Sequence, residues 1–156
     1  MAKDNVIVRV KNLTKVYDNN KVVKGISFEV KRGEIFGILG PNGAGKTTTL
    51  EMLEALRPID DGEAILDGVN VAKDPYKVKA LIGVQPQSPA FIEKLKLTEI
   101  IQQFAAAYGE KVDAHKFLDD VDLEGKASSY PENLSGGQRQ RLSIAAALVH
   151  GPKVFF

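Results

Sequence analysis

The stretch Gly40-Pro41-Asn42-Gly43-Ala44-Gly45-Lys46-Thr47-Thr48 decides how the rest of this chain is read. It fits the pattern G-x-x-x-x-G-K-[S/T] through Gly40, Gly45, Lys46 and Thr47, and its surroundings suit that pattern. Before it, Ile35-Phe36-Gly37-Ile38-Leu39 has no polar alternate, which predicts a strand buried on both faces, as in a parallel sheet. After it, Thr49, Met52, Leu53 and Leu56 fall at helical spacing, which predicts one apolar stripe on a helix ended by Pro58. Glycines in such a turn let the backbone fold into a ring of N–H donors, and the helix points its positive end at the same place. Lys46 adds a charge able to span two phosphates, and the Thr47 hydroxyl is a ligand for Mg²⁺. The dinucleotide pattern G-x-G-x-x-G is absent, so nothing supports nicotinamide or flavin binding.

Working outward, the chain towards its amino terminus predicts antiparallel strands. Val6, Val8 and Val10 alternate with Ile7, Arg9 and Lys11, and Ile26, Phe28 and Val30 alternate with Ser27, Glu29 and Lys31. Towards the carboxyl terminus, Glu63-Ala64-Ile65-Leu66 before Asp67-Gly68 predicts one arm of a hairpin. Leu81-Ile82-Gly83-Val84 predicts a short strand running into Gln85-Pro86-Gln87-Ser88-Pro89. A helix follows with Thr98 as N-cap, Ile100, Ile101, Phe104, Ala105 and Tyr108 on one face, and Gly109 after it. Asp113 predicts the cap of a second helix whose stripe is Ala114, Phe117, Leu118 and Val121.

The second informative stretch is Leu134-Ser135-Gly136-Gly137-Gln138. Ser135 is a good N-cap, and two glycines leave the first amides of the following helix accessible. That helix carries Leu142, Ala145, Ala146 and Val149 on one face and stops at Gly151-Pro152. Taken alone the stretch reads first as a capped helix with a flexible entry. His115 sits in a polar helical stretch and is expected in solvent, while His150 suits a helix C-terminus.

Composition narrows the partners. The 156 residues hold 21 basic and 20 acidic side chains spread evenly, a net +1, which argues against a nucleic-acid or anionic-membrane surface. There is no cysteine, hence no disulfide or thiolate metal site, and a cytoplasmic location is expected. The amino terminus lacks the apolar core of a signal peptide, and the longest apolar run, Ile144 to Val149, is too short to cross a bilayer. Transport would require a separate membrane subunit.

The phosphate loop, a glutamine-bearing loop after a strand, and Leu-Ser-Gly-Gly-Gln, in that order, resemble the nucleotide-binding domain of the ATP-binding cassette (ABC) ATPases over essentially the whole chain. The resemblance implies an α/β P-loop NTPase fold of ABC type: an antiparallel β subdomain, a parallel-sheet core and a helical insert, incomplete at the carboxyl terminus. As one partial domain over 1–156, it places the β subdomain and P-loop core in 1–87, the insert in 88–133, and the signature helix with the start of a further strand in 134–156. It implies ATP and Mg²⁺ as ligands, held by Tyr17, by Gly40, Pro41, Asn42, Gly43, Ala44, Gly45, Lys46, Thr47 and Thr48, and by Gln87 at the metal and attacking water. Tyr17 matches the aromatic that stacks on adenine; filling a strand corner is the plainer role for a lone ring. Gln85 competes with Gln87 for the loop glutamine, and the Pro86-Gln87 pairing favours Gln87. Ser135, Gly136, Gly137 and Gln138 are implied to bind, in trans, the nucleotide of a second ATPase subunit in a head-to-tail dimer.

The implied function is the ATP-binding subunit of a transporter, peripheral on the inner face of the membrane through a permease subunit. The compact insert and the wording Ile82-Gly83-Val84-Gln85-Pro86-Gln87 and Ala147-Leu148-Val149-His150 are similar to ABC-2-type exporters. The family continues from a strand such as Val154-Phe155-Phe156 into an Asp-Glu pair and, later, a switch histidine, which these residues do not contain. The expectation is a truncated chain that binds ATP without hydrolysing it. Two alternatives stay open: a non-transport ABC ATPase, against which the lack of a long coiled coil or second cassette counts, and a non-catalytic nucleotide-binding module.

Overall fold

The computed structural model describes residues 5–156 and divides the chain into two compact units, Met1–Ile82 and Gly83–Phe156. The first is built on a sheet of order β2-β1-β3-β4, in which β1 (Val6–Tyr17), β2 (Asn20–Lys31), β3 (Asp61–Leu66) and β4 (Val69–Asn70) are all antiparallel. Pairing of Val8 with Val30 and Val10 with Phe28 puts the alternating apolar residues of β1 and β2 on one face. That face packs with Met52 and Leu53 among the fully buried side chains of this unit. The predicted hairpin is present: Leu66 faces Val69, and Asp67 and Gly68 both have positive φ (45° and 82°), the combination a type I′ turn requires.

Helix α1 (Lys46–Leu53) buries Thr49, Met52 and Leu53 as predicted, but it stops a turn short of Leu56, which is 61% exposed. The reason is local. Ala55 takes a left-handed φ of 55°, its amide donates to the Met52 carbonyl at 3.2 Å, and the Leu56 amide donates to Glu51 at 2.9 Å. Those two bonds close the helix in a Schellman motif, with alanine at the position that glycine usually takes. Helix α2 (Pro75–Leu81) then runs from Asp74, with Pro75 opening its first turn.

One expectation fails plainly. Residues 34–40 form no strand, and Ile35 and Leu39 are 100% and 94% exposed. A doubly buried strand needs a parallel neighbour to take its backbone bonds, and among the described residues of this unit every strand is already paired antiparallel. Phe36 stacks on Phe28 at 5.0 Å between ring centres.

The second unit is helical. Helices α3 (Leu97–Ala107), α4 (Ala114–Asp119) and α5 (Gly136–Leu148) share one core in which Leu97, Ile100, Ile101, Leu118 and Leu142 are sealed from solvent. Asp113 caps α4 as predicted, accepting the His115 amide at 3.0 Å. Thr98 does not cap α3. The helix begins earlier, because Leu97 is drawn fully into the core, and the Glu99 carboxylate accepts the Lys96 amide at 2.7 Å. The strand foreseen over 81–84 is shorter, β5 (Ile82–Gly83), because Leu81 completes α2. It pairs with β6 (Val154–Phe155): the Phe156 amide donates to Gly83 and the Gln85 amide to Phe156, the ladder of a parallel pair. The parallel sheet among the described residues is therefore two short strands. No helix among them is long and apolar enough to cross a membrane.

Candidate functional site

The predicted phosphate loop lies in the first unit. Gly45 is the N-cap of α1 in left-handed conformation (φ 84°), and a Cβ there would sit 2.7 Å from the Val22 carbonyl oxygen. Glycine is thus required twice, for backbone angle and for the approach of the loop to β2. The first helical bond, from the Thr49 amide to the Gly45 carbonyl at 2.8 Å, leaves the amides of Lys46, Thr47 and Thr48 at the open end of the helix. Thr49, which completes the run of three threonines, spends its hydroxyl on the same carbonyl at 2.9 Å and is buried.

Lys46 is half-buried, and its ammonium donates to the carbonyls of Gly40 and Pro41, both at 2.8 Å. The ammonium is thus held across the loop. Thr47 is exposed, and its hydroxyl makes no hydrogen bond among the described residues. That open hydroxyl beside a fixed cation and a helix N-terminus is what a phosphate-bound Mg²⁺ would need, and the residues fit it. No cluster of three or more acidic, histidine or cysteine side chains among the described residues offers a competing metal site.

Gly43, Ala44, Lys46 and Thr49 line one side of a cleft of about 490 Å³ whose other wall is β2 from Asn20 to Ile26. Asn20 pairs directly with Tyr17 across the β1–β2 turn, so the cleft begins beside the predicted stacking ring. Tyr17 is partly exposed, with Lys15 Nζ 5.4 Å and Arg57 Cζ 5.8 Å from its ring centre. Sequence reasoning passed over both cations. Lys15 is buried and donates to Asp60 at 2.7 Å, and this ammonium, then the Val16 amide, holds the Asp60 carboxyl below the ordinary aspartate range. No motif points to them, because Asp60 lies 45 residues from Lys15 and Tyr17 lies 40 from Arg57.

The remaining predicted residues lie in the second unit. Gln87 is exposed in a bend after β5, whereas Gln85 is half-buried with its amide tied to Phe156 at 2.9 Å. Ser135 caps α5: its hydroxyl accepts the Gln138 amide at 3.3 Å, and the Gln138 side-chain carbonyl accepts the Ser135 amide at 3.0 Å. This reciprocal capping box orders the helix start. Gly136 and Gly137 are exposed, and a Cβ on either would meet nothing within 4 Å. Of the histidines, His115 is exposed, with Nδ1 2.8 Å from Glu124, and His150 stacks on Tyr108 at 3.8 Å.

Comparison with known proteins bears on the family and the fold. A family model described as ABC transporter matches residues 23–156. The chain is 39% identical over 153 residues to the linearmycin resistance ATP-binding protein of Bacillus subtilis (strain 168), covering 95% of this chain and 49% of that one. It is 37% identical over 153 residues to the Nod factor export ATP-binding protein I of Ralstonia nicotianae, covering 95% and 48%. Among solved structures, an ATP-binding subunit of an ABC transporter superposes with a TM-score of 0.83 at 30% identity, over 96% of this chain and 64% of that one. The chain spans about half the length of these curated relatives.

Proposed function

This chain belongs to the ABC transporter family of ATP-binding proteins, and from that premise we propose that it binds ATP with Mg²⁺ through residues 40–48 and drives export through a separate membrane permease. The observation that carries the proposal is the Lys46 ammonium on the Gly40 and Pro41 carbonyls at 2.8 Å, beside an open Thr47 hydroxyl and a cleft that begins near Tyr17. In this reading the amides of the loop and the first turn of α1 bind phosphate oxygens, Lys46 moves from its carbonyls to the anion, and Tyr17 stacks on the base. Thr47 would hold Mg²⁺, which would supply charge neutralisation at the phosphates.

Ser135, Gly136, Gly137 and Gln138 serve a nucleotide on a second subunit of a head-to-tail dimer. Two features support this: the helix start is already capped from within, and both glycines face open space. Export is favoured because the two relatives above are named for export and for resistance. The subunit is then cytoplasmic and peripheral on the inner membrane face.

The test is titration with a fluorescent ATP analogue, with phosphate release followed in parallel. Lys46→Ala should weaken binding by about 1.5–3 kcal/mol, the worth of a charged hydrogen bond. Unchanged affinity in a folded variant removes the phosphate-loop assignment. Phosphate release undiminished by Lys46→Ala removes it as well.

A further inference from the structure

Two fixed cations converge on Tyr17. Arg57 Nη1 donates to its hydroxyl at 3.2 Å, and the other side of the guanidinium is taken by the Glu51 carboxylate on α1. That carboxylate, with Tyr17 beside it, raises the pKa of Arg57. On the strand side, Lys15 is buried and donates to the Pro58 carbonyl at 2.9 Å and to Asp60 at 2.7 Å, and Asp60 also accepts the Val16 amide at 2.8 Å. The segment after α1 is thereby stapled to the end of β1. A tyrosine at the end of a strand, left to itself, gives up side-chain freedom when a flat ligand settles on it. A ring already held gives up less.

We infer that Arg57 is a positioning residue for the nucleobase: anchored by Glu51, it fixes the Tyr17 ring in its stacking orientation. The inference rests on the proposed stacking role of Tyr17. Its consequence is that one short helix governs both ends of the nucleotide. Lys46, at the start of α1, takes the phosphates, and Glu51, one turn on, holds the guanidinium that sets the base platform. Because stacking and a cation near the ring read no base edge, ATP and GTP share the benefit.

The experiment compares ATP, GTP and inorganic tripolyphosphate by calorimetric titration of the full-length protein. The variants are Arg57→Met, Glu51→Gln, Tyr17→Ala and the Arg57→Met/Tyr17→Ala pair. Arg57→Met should weaken both nucleotides about three- to tenfold and Glu51→Gln by less, with tripolyphosphate held within about twofold throughout. The double variant should bind nucleotides no more weakly than Tyr17→Ala, because Arg57 acts through the ring. Additive nucleotide losses overturn the positioning role and leave stacking intact. Tripolyphosphate weakening in step with ATP also overturns it, since Arg57 would then be shaping the phosphate loop. Wild-type nucleotide affinity in Tyr17→Ala overturns the stacking assignment itself, and this inference with it.

Discussion

The chain has two glycine-rich helix starts, one in each unit, and they are built on opposite principles. At α1, Gly45 is demanded by the protein: its φ is 84° and the Val22 carbonyl leaves no room for a side chain. At α5, Ser135 does the capping, and Gly136 and Gly137 stand in helical positions where a Cβ would meet nothing within 4 Å. Glycine inside a helix costs roughly 0.5–1 kcal/mol relative to alanine, and no internal contact explains that cost here. The first start carries its own reason for glycine. The second has no such steric reason within 4 Å, and the proposed in-trans ligand would supply one.

The contrast can be broken most strongly at Gly45. Gly45→Ala should lower stability by about 2–4 kcal/mol, combining left-handed strain with overpacking against Val22. Chemical denaturation measures it, and a loss below about 1 kcal/mol would show that the loop relaxes freely and that the close approach is not needed.

Gly136→Ala should do the reverse, raising stability by about 0.5–1 kcal/mol through helix propensity. In the full-length protein the same change should depress ATP turnover if the helix start touches a nucleotide in trans. A stabilised variant with unaltered turnover would leave Gly136 with no role at a ligand, and the contrast would lose its second half.

The smallest effect separates the two ends by charge. The α5 cap is a neutral pair, whereas the staple beneath Tyr17 depends on ionised Asp60. Lys15 and the Val16 amide lower the Asp60 pKa in the folded chain, so the ionised form is favoured by folding. Its contribution is full above the ordinary aspartate pKa and is lost as pH falls through the lower folded value. Urea midpoints measured down into that acidic range should decline less steeply in Asp60→Asn than in wild type. Equal slopes would detach Asp60 from the acid response.

What could be read without coordinates was local. The loop 40–48, the Asp67-Gly68 turn and the Asp113 and Ser135 caps each depend on residue types a few positions apart. Their conformations follow from steric freedom and short-range hydrogen bonds. The end of α1 also follows from local bonds, yet a left-handed Ala55 leaves no mark in the residue types. The N-cap of α3 moved from Thr98 to Lys96 because core packing overrode a good capping residue.

The sequence by itself determined the family of this protein, its two glycine-rich helix starts and the residues that form them, because those are written as spacing and composition over short windows. Only the tertiary structure decided that Ile35 and Leu39 stand in solvent, that Lys15 is buried and that Arg57 reaches Tyr17. The last two depend on partners brought from far along the chain: Lys15 meets Pro58 across 43 residues, and Arg57 meets Tyr17 across 40. Such partners are chosen by packing and sheet pairing, and no local pattern of residue types records that choice.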